Sequence, residues 1–376
     1  MAAFTQLLCI FFLSSTEYEV LGVYSFYCAI GALIWQVCYF EGHQHAIAGT
    51  ISTSQLREFY SLSFLLWLIS SFLIIYISFS YSLLASIFIC IYLLSVSWDW
   101  LIHLKTIDQR CSGLDLEYKK LTRNKGLLLD FILPLFVVLI LSNKYISQEL
   151  VLTAYLILLG LTFYLFFTQV KGYKRKLVFT DFWTGVAFKR VDTVLFRLFI
   201  GSFWGFQTLG FVQPVFSMGR VVVLLTPYWI NLNLNKVIDS IDARKIHYGK
   251  AFIVLVASYF LYVLAALAAY VCYYNLITTP NEYEFIFFIL VFFFLGGQNT
   301  KAFIRALSIS DSSVNFNNFT LLVGLVIKLS ASFYLSEGNY FSLIIIYTIV
   351  DLLLSFIILI YFSKIKKVKI EEPTEK

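Results

Sequence analysis

Apolar runs separated by short polar ones recur along the whole chain. They cover residues 1–13, 20–40, 59–79, 81–102, 127–142, 149–170, 177–200, 210–232, 251–275, 283–300, 319–335 and 340–362. A helix needs about 20 apolar residues to cross the hydrocarbon core of a bilayer. The first run is too short to cross; the others approach or reach that length. Long alternating strand patterns are missing, which argues against a membrane barrel. The pattern predicts an all-α polytopic membrane protein of about 12 transmembrane helices, the first one truncated.

Composition agrees with that pattern. The chain of 376 residues is 60% hydrophobic and only 13% charged; soluble domains are about half apolar and a quarter charged. Aromatic residues make up 19%, with Phe alone at 39. The simplest reading is lipid-facing Phe with Trp and Tyr at the membrane interfaces. The cysteines Cys9, Cys28, Cys38, Cys90, Cys111 and Cys272 show no paired spacing, and all but Cys111 fall in apolar runs as small hydrophobes. His43 and His45 form an isolated H-x-H without the three or four ligands a metal needs, so no metal site and no cofactor is expected. The N-terminus has neither a basic n-region nor an A-x-A site, so a removable signal peptide is not expected.

The basic residues orient the spans. Lys105, Arg110, Lys119, Lys120, Arg123 and Lys125 lie between the fourth and fifth runs, and Lys171, Lys174, Arg175 and Lys176 between the sixth and seventh. Arg57, the group Lys236, Arg244, Lys245 and Lys250, the pair Lys301 and Arg305, and the C-terminal tail fall on the same side by alternation. The intervening loops carry almost no positive charge; Lys144 is the exception. The positive-inside rule then places both termini in the cytoplasm. The net charge of +6 is accounted for by these loops, and no nucleic-acid partner is implied. Within SGLDLEYKKL, Ser112 and Asp115 have capping-box spacing, and Leu114, Tyr118 and Leu121 recur at helical intervals. That stretch reads either as a short helix on the inner membrane face or as a solvated basic loop.

An internal repeat lies at half the chain length. Leu21-Gly22 aligns with Leu209-Gly210, and Gly31 with Gly219, at an offset of 188. Two six-helix lobes of the same orientation are expected, 1–170 and 171–362, followed by a basic cytoplasmic tail at 363–376. By that offset the counterpart of the seventh run starts before Met1. The first helix is therefore expected to be short or to begin upstream.

The seventh run is not purely apolar. On a helical wheel Asp181, Gly185, Lys189, Arg190, Asp192, Thr193 and Arg197 share one half. Lys189, Arg190 and Asp192 lie past the midplane, about 18–22 Å from the inner end. A charge at the bilayer centre costs at least ~2.5–3.5 kcal/mol, so such residues face protein or a wet cavity. In the eighth run Gln213, Ser217 and Arg220 recur at i, i+4, i+7; in the eleventh Thr320, Gly324, Lys328 and Ser332 recur every four residues. Lys189, Arg190, Arg220 and Lys328 are the expected anion-binding residues, since Arg forks and Lys point charges suit phosphate. Asp192, Asp99 and Asp351 are the expected ion-pair or coupling residues, with Asp130 a further acid near the inner end of the fifth run.

Three stretches carry a resemblance: TEYEVLGVYSF, FEGHQHAI, and RVDTVLFRLFIGSFWGFQTLGFVQPV from Arg190 to Val215. With the twelve-run layout, the chain resembles the lipid-linked oligosaccharide flippases (O-antigen and polysaccharide export type) of the multidrug/oligosaccharidyl-lipid/polysaccharide exporter superfamily. The resemblance implies a V-shaped bundle of two lobes in the bacterial cytoplasmic (inner) membrane. It implies as substrate an undecaprenyl-diphosphate-linked oligosaccharide, with membrane lipids and other surface-polysaccharide assembly proteins as partners. Asp192 matches the family's acid in the seventh span, and Arg190, Arg220 and Lys328 are candidate cavity cations. The short first run and the basic Arg197 depart from the family pattern. Two rival readings remain: a polymerase or ligase of the same pathway, and a drug or ion exporter of the same superfamily. Short outward loops count against the first, and the cationic second half against the second. No nucleophile elbow or phosphate-cradling Gly loop is found, so an enzyme is not expected and no catalytic residue is assigned.

Overall fold

The computed structural model describes residues 18–39, 51–114, 116–142, 146–173, 194–223, 260–271, 286–296, 314–336 and 340–371, with Phe12, Ala46, Val191 and Gly338. All regular structure among the described residues is helical. The helices are α1 (Tyr18–Tyr39), α2 (Thr53–Phe79), α3 (Leu83–Cys111), α4 (Leu116–Ser142), α5 (Gln148–Val170), α6 (194–204), α7 (Gly205–Val223), α8 (Phe260–Val271), α9 (Ile286–Gly296), α10 (Val314–Tyr334) and α11 (Tyr340–Glu371). Among the described residues, seven stretches are long and apolar enough to cross a membrane, so this is a multi-pass membrane protein. The chain forms two compact units, Met1–Pro214 and Val215–Lys376.

Local sequence explains where helices begin. Ser52 caps α2, its hydroxyl accepting from the Gln55 amide while Gln55 reaches back to the Ser52 amide. Ser82 and Ser147 cap α3 and α5 with the hydroxyl alone, accepting from the amides of Ala85 and Leu150. Ser112 does not open a helix as its spacing suggested. Its amide bonds back to the carbonyls of Asp108 and Gln109, closing the end of α3, and Gly113 then turns the chain at φ 79°. The next helix runs unbroken from Leu116 to Ser142, with a π-helical turn at Leu128–Ile132. The basic stretch is thus the start of the fifth span, neither a separate surface helix nor a loop.

The core of the first unit lies among α1 to α5. Trp67, Tyr60 and Trp100 are fully buried there. Trp67 donates to Ser97 at 2.9 Å, and the Tyr60 hydroxyl donates to the Tyr39 carbonyl at 3.2 Å. Trp67 and Tyr60 thereby satisfy their polar tips inside apolar surroundings. Phe72, Phe79, Phe136 and Phe167 are exposed, whereas Phe64, Phe88, Phe163 and Phe166 are interior. Cys28, Cys38 and Cys90 are buried singly, as small hydrophobes.

At Gly205 (φ 84°, ψ 168°) the backbone breaks and folds back. A Cβ on Gly201 would lie 3.2 Å from the Leu209 side chain. In one continuous helix those positions are about 12 Å apart, so α6 and α7 form a hairpin. The long apolar stretch Val194–Gly219 is therefore two elements.

Helix α7 runs beside α1 in the same direction. A Cβ on Gly22 would collide with the Phe206 carbonyl, and one on Gly210 with the Tyr18 carbonyl. The Gly22 nitrogen lies 2.9 Å from where a Gly210 Cβ would stand. Three residues further along each helix, Ser25 donates to Gln213 at 2.5 Å, both buried, at a sequence separation of 188. Tyr18 and Phe206 share that separation, as do Gly22 and Gly210. The two glycine contacts are therefore exchanged into one another by the repeat offset. Such reciprocity is the mark of a local two-fold relation between helices, and only glycine lets the backbones come this close. The second aligned pair also does one job twice. Gly31 packs on Tyr92 and Leu93 of α3, and Gly219 on Phe292 and Leu295 of α9.

Candidate functional site

Among the described residues, two ion-paired sets of charges lie inside the apolar helices. In the second unit, α10 and α11 run antiparallel. Their contact is built in layers: Gly324 against Leu354, Lys328 against Asp351, Ser332 against Tyr347. Each step is four residues along α10 and three or four along α11, about one turn on a shared face. Lys328 Nζ lies 2.5 Å from Asp351 Oδ1, and both side chains are 0% exposed. The ammonium also sits over two rings, 5.1 Å from the centroid of Tyr347 and 5.9 Å from that of Phe294. One turn away, the Ser332 and Tyr347 hydroxyls are 2.6 Å apart. Asp351 falls about 16 Å along α11, near mid-membrane depth.

In the first unit the charges lie between α3 and α4. Lys125 Nζ is 2.9 Å from Asp99 Oδ2 and 3.0 Å from Asp130 Oδ2. Ser95 donates to the other oxygen of Asp130 at 2.5 Å. The π-helical turn carries Asp130 and adds a residue to the helix between it and Lys125, which brings both onto the face toward α3. Asp130 is 10% exposed and Asp99 38%, so the two carboxylates are not equivalent. Asp130→Asn is expected to cost more stability than Asp99→Asn, because Asp130 has the drier site and a second donor. Lys125→Met is expected to exceed both, about 3 kcal/mol or more, since it leaves two carboxylates facing each other. Unfolding in mixed micelles, followed by circular dichroism, ranks the three; the reverse order would show that burial does not set the cost.

At the same end of that unit three further cations, Arg57, Arg110 and Lys105, are tied down. Arg57 donates to Asp108 at 2.6 Å and to the Tyr173 hydroxyl at 3.3 Å, joining α2, α3 and the end of α5. Arg110 lies over the Tyr118 ring at 3.9 Å and within 3.1 Å of His103 Nδ1. Lys105 lies 3.6 Å from Glu117.

Of the expected anion-binding residues, Lys328 is paired with Asp351 and lies over the rings of Tyr347 and Phe294. Arg220 is on α7, but its side chain, like Lys189, Arg190 and Asp192, lies outside the described residues. So do His43 and His45. Asp351 pairs with Lys328, and Asp99 with Lys125, a buried helix residue although its basic neighbours suggest a loop. Arg197 is buried on α6. No group of side chains among the described residues could hold a metal ion. Compared with protein-family models, with characterised proteins and with solved structures, the chain matches none.

Proposed function

We propose that the protein is a transporter that carries a lipid-linked oligosaccharide, undecaprenyl-diphosphate its anchor, across the bacterial cytoplasmic membrane for surface-polysaccharide assembly. The observation that carries the transporter reading is the reciprocal crossing of α1 and α7 at the repeat offset. Transporters built from parallel repeats bind substrate between the halves and rock one against the other. The substrate class rests on the sequence resemblance and on the cations of the second half. A diphosphate cannot enter hydrocarbon bare, since an isolated buried ion costs on the order of tens of kcal/mol in the Born limit. Lys189, Arg190 and Arg220 would supply a hydrated positive path while the lipid tail stays in the bilayer. Asp192 would neutralise them when the substrate leaves. Lys328, already neutralised by Asp351, supports the helices in this reading and binds substrate only if that pair opens.

Deleting the gene tests the proposal. Complete lipid-linked repeat units should accumulate on the inner leaflet while surface polymer disappears. Arg220→Glu, returned to the deletion strain, should insert at wild-type level yet restore less than a tenth of the polymer; full restoration would remove Arg220 from the path. Single repeat units at the surface, unpolymerised, would instead identify a polymerase. An unchanged surface glycan would leave the exporter reading.

A further inference from the structure

Helix α4 shows two faces along its first three turns. Glu117, Tyr118, Leu121, Thr122 and Lys125 are buried or half-buried against the protein. Leu116, Lys119, Lys120, Arg123, Asn124 and Leu127 are exposed and fall within an arc of about 140°. Leu116 is 85% exposed. Further along the same helix Ile132, Phe136 and Leu139 are exposed, the surface a span turns to lipid.

The cations on this face differ from their neighbours. Arg57, Lys105 and Lys125 each have a carboxylate partner, and Arg110 is stacked on Tyr118. Lys119, Lys120 and Arg123 have no ion-pair or hydrogen-bond partner among the described residues. They stand one to two turns before Leu127, where the exposed face becomes continuously apolar. One to two turns is about 6–12 Å, and a headgroup layer is about 5–7 Å deep. Long basic side chains reach across the difference by snorkelling. Three unpaired positive charges on a lipid-facing surface, at phosphate depth, complement an anionic headgroup.

We infer that Lys119, Lys120 and Arg123 form a docking site for anionic phospholipid headgroups of the surrounding leaflet, on the outer face of α4. The site is independent of the transported substrate, and the charge-assisted bonds from Arg123 and the two lysines to phosphate oxygens hold it. Exposed Leu127 and Leu128 take the first carbons of the acyl chains.

A bimane on Asn124→Cys, an exposed position of the same arc, reports the lipid next to it. The protein, with exposed Cys111→Ser, is placed in phosphatidylcholine nanodiscs carrying increasing brominated phosphatidylglycerol or brominated phosphatidylcholine. The chain without Asn124→Cys sets the background. Phosphatidylglycerol should half-quench at a several-fold lower mole fraction than phosphatidylcholine. The triple variant K119Q/K120Q/R123Q should erase that preference, a change of about tenfold or more at roughly 1 kcal/mol per cation. K119R/K120R should keep it, which separates charge from packing. Equal quenching by both lipids in the parent, a preference that survives the triple variant, or no quenching by either lipid would each overturn the assignment.

Discussion

Replacing Lys328 with Met should destabilise the protein by about 3–5 kcal/mol, while the double variant Lys328→Met/Asp351→Leu should recover most of that loss. The asymmetry follows from burial. Both side chains are 0% exposed, so either charge alone is stranded in a medium that solvates it poorly. Removing the pair together strands neither, and Met and Leu approximate the lost volume. The rings of Phe294 and Tyr347 add to the single variant's cost from the other side. They attract a cation but present negative faces to a lone carboxylate. Equilibrium unfolding in mixed micelles measures all three chains. Equal loss in single and double variants would mean that shape, not charge, matters at this layer. The folded double variant then serves the functional question as well. If it still restores surface polymer in the deletion strain, Lys328 is no substrate ligand; if it folds but restores nothing, the pair opens during transport.

That pair also marks how far the sequence could be read. The row Thr320, Gly324, Lys328, Ser332 was legible from its four-residue period, and the helix does turn that row to one side. A period says which residues share a face; it does not say what the face meets. Here it meets Tyr347, Asp351 and Leu354 of the next helix. Asp351 stood out only as an acid in an apolar run. The inward place of Lys125 is hidden in the sequence for a different reason. A run of six basic residues reads as solvated, and hydropathy starts the span at residue 127. The helix itself winds back to Leu116, where its period sorts Lys119, Lys120 and Arg123 outward and Lys125 inward. The available signal was the pair of acids, Asp99 and Asp130, near the inner ends of adjacent spans with no cation assigned to them. Aromatic content was read by composition alone, which cannot separate a lipid-facing Phe72 from an interior Phe88. The glycine repeat was legible because it is local identity at a fixed offset, and the contact it makes obeys the same offset.

Gly22→Ala and Gly210→Ala should each cost at least about 1–3 kcal/mol, the usual range for forcing extra atoms into a packed site. Each new methyl would strike a backbone carbonyl, of Phe206 or of Tyr18, which cannot rotate aside as a side chain can. The helices must separate, and separation weakens the Ser25–Gln213 bond and the packing of Phe26 and Tyr27 on Phe206. Because one separation relieves both collisions, the double variant should cost clearly less than the sum of the singles, a coupling expected of contacts sharing one backbone shift. Gly160 supplies the control. It lies inside α5 with nothing within 4 Å of a would-be Cβ; Gly160→Ala should be neutral or stabilising by up to about 1 kcal/mol, the helix preference of Ala over Gly. The four unfolding curves decide between two origins of the repeat. Equal single costs with strong coupling mean that both glycines serve one two-fold contact. Unequal and additive costs mean that the offset of 188 is shared by two sites that act separately, and the local symmetry has no energetic content.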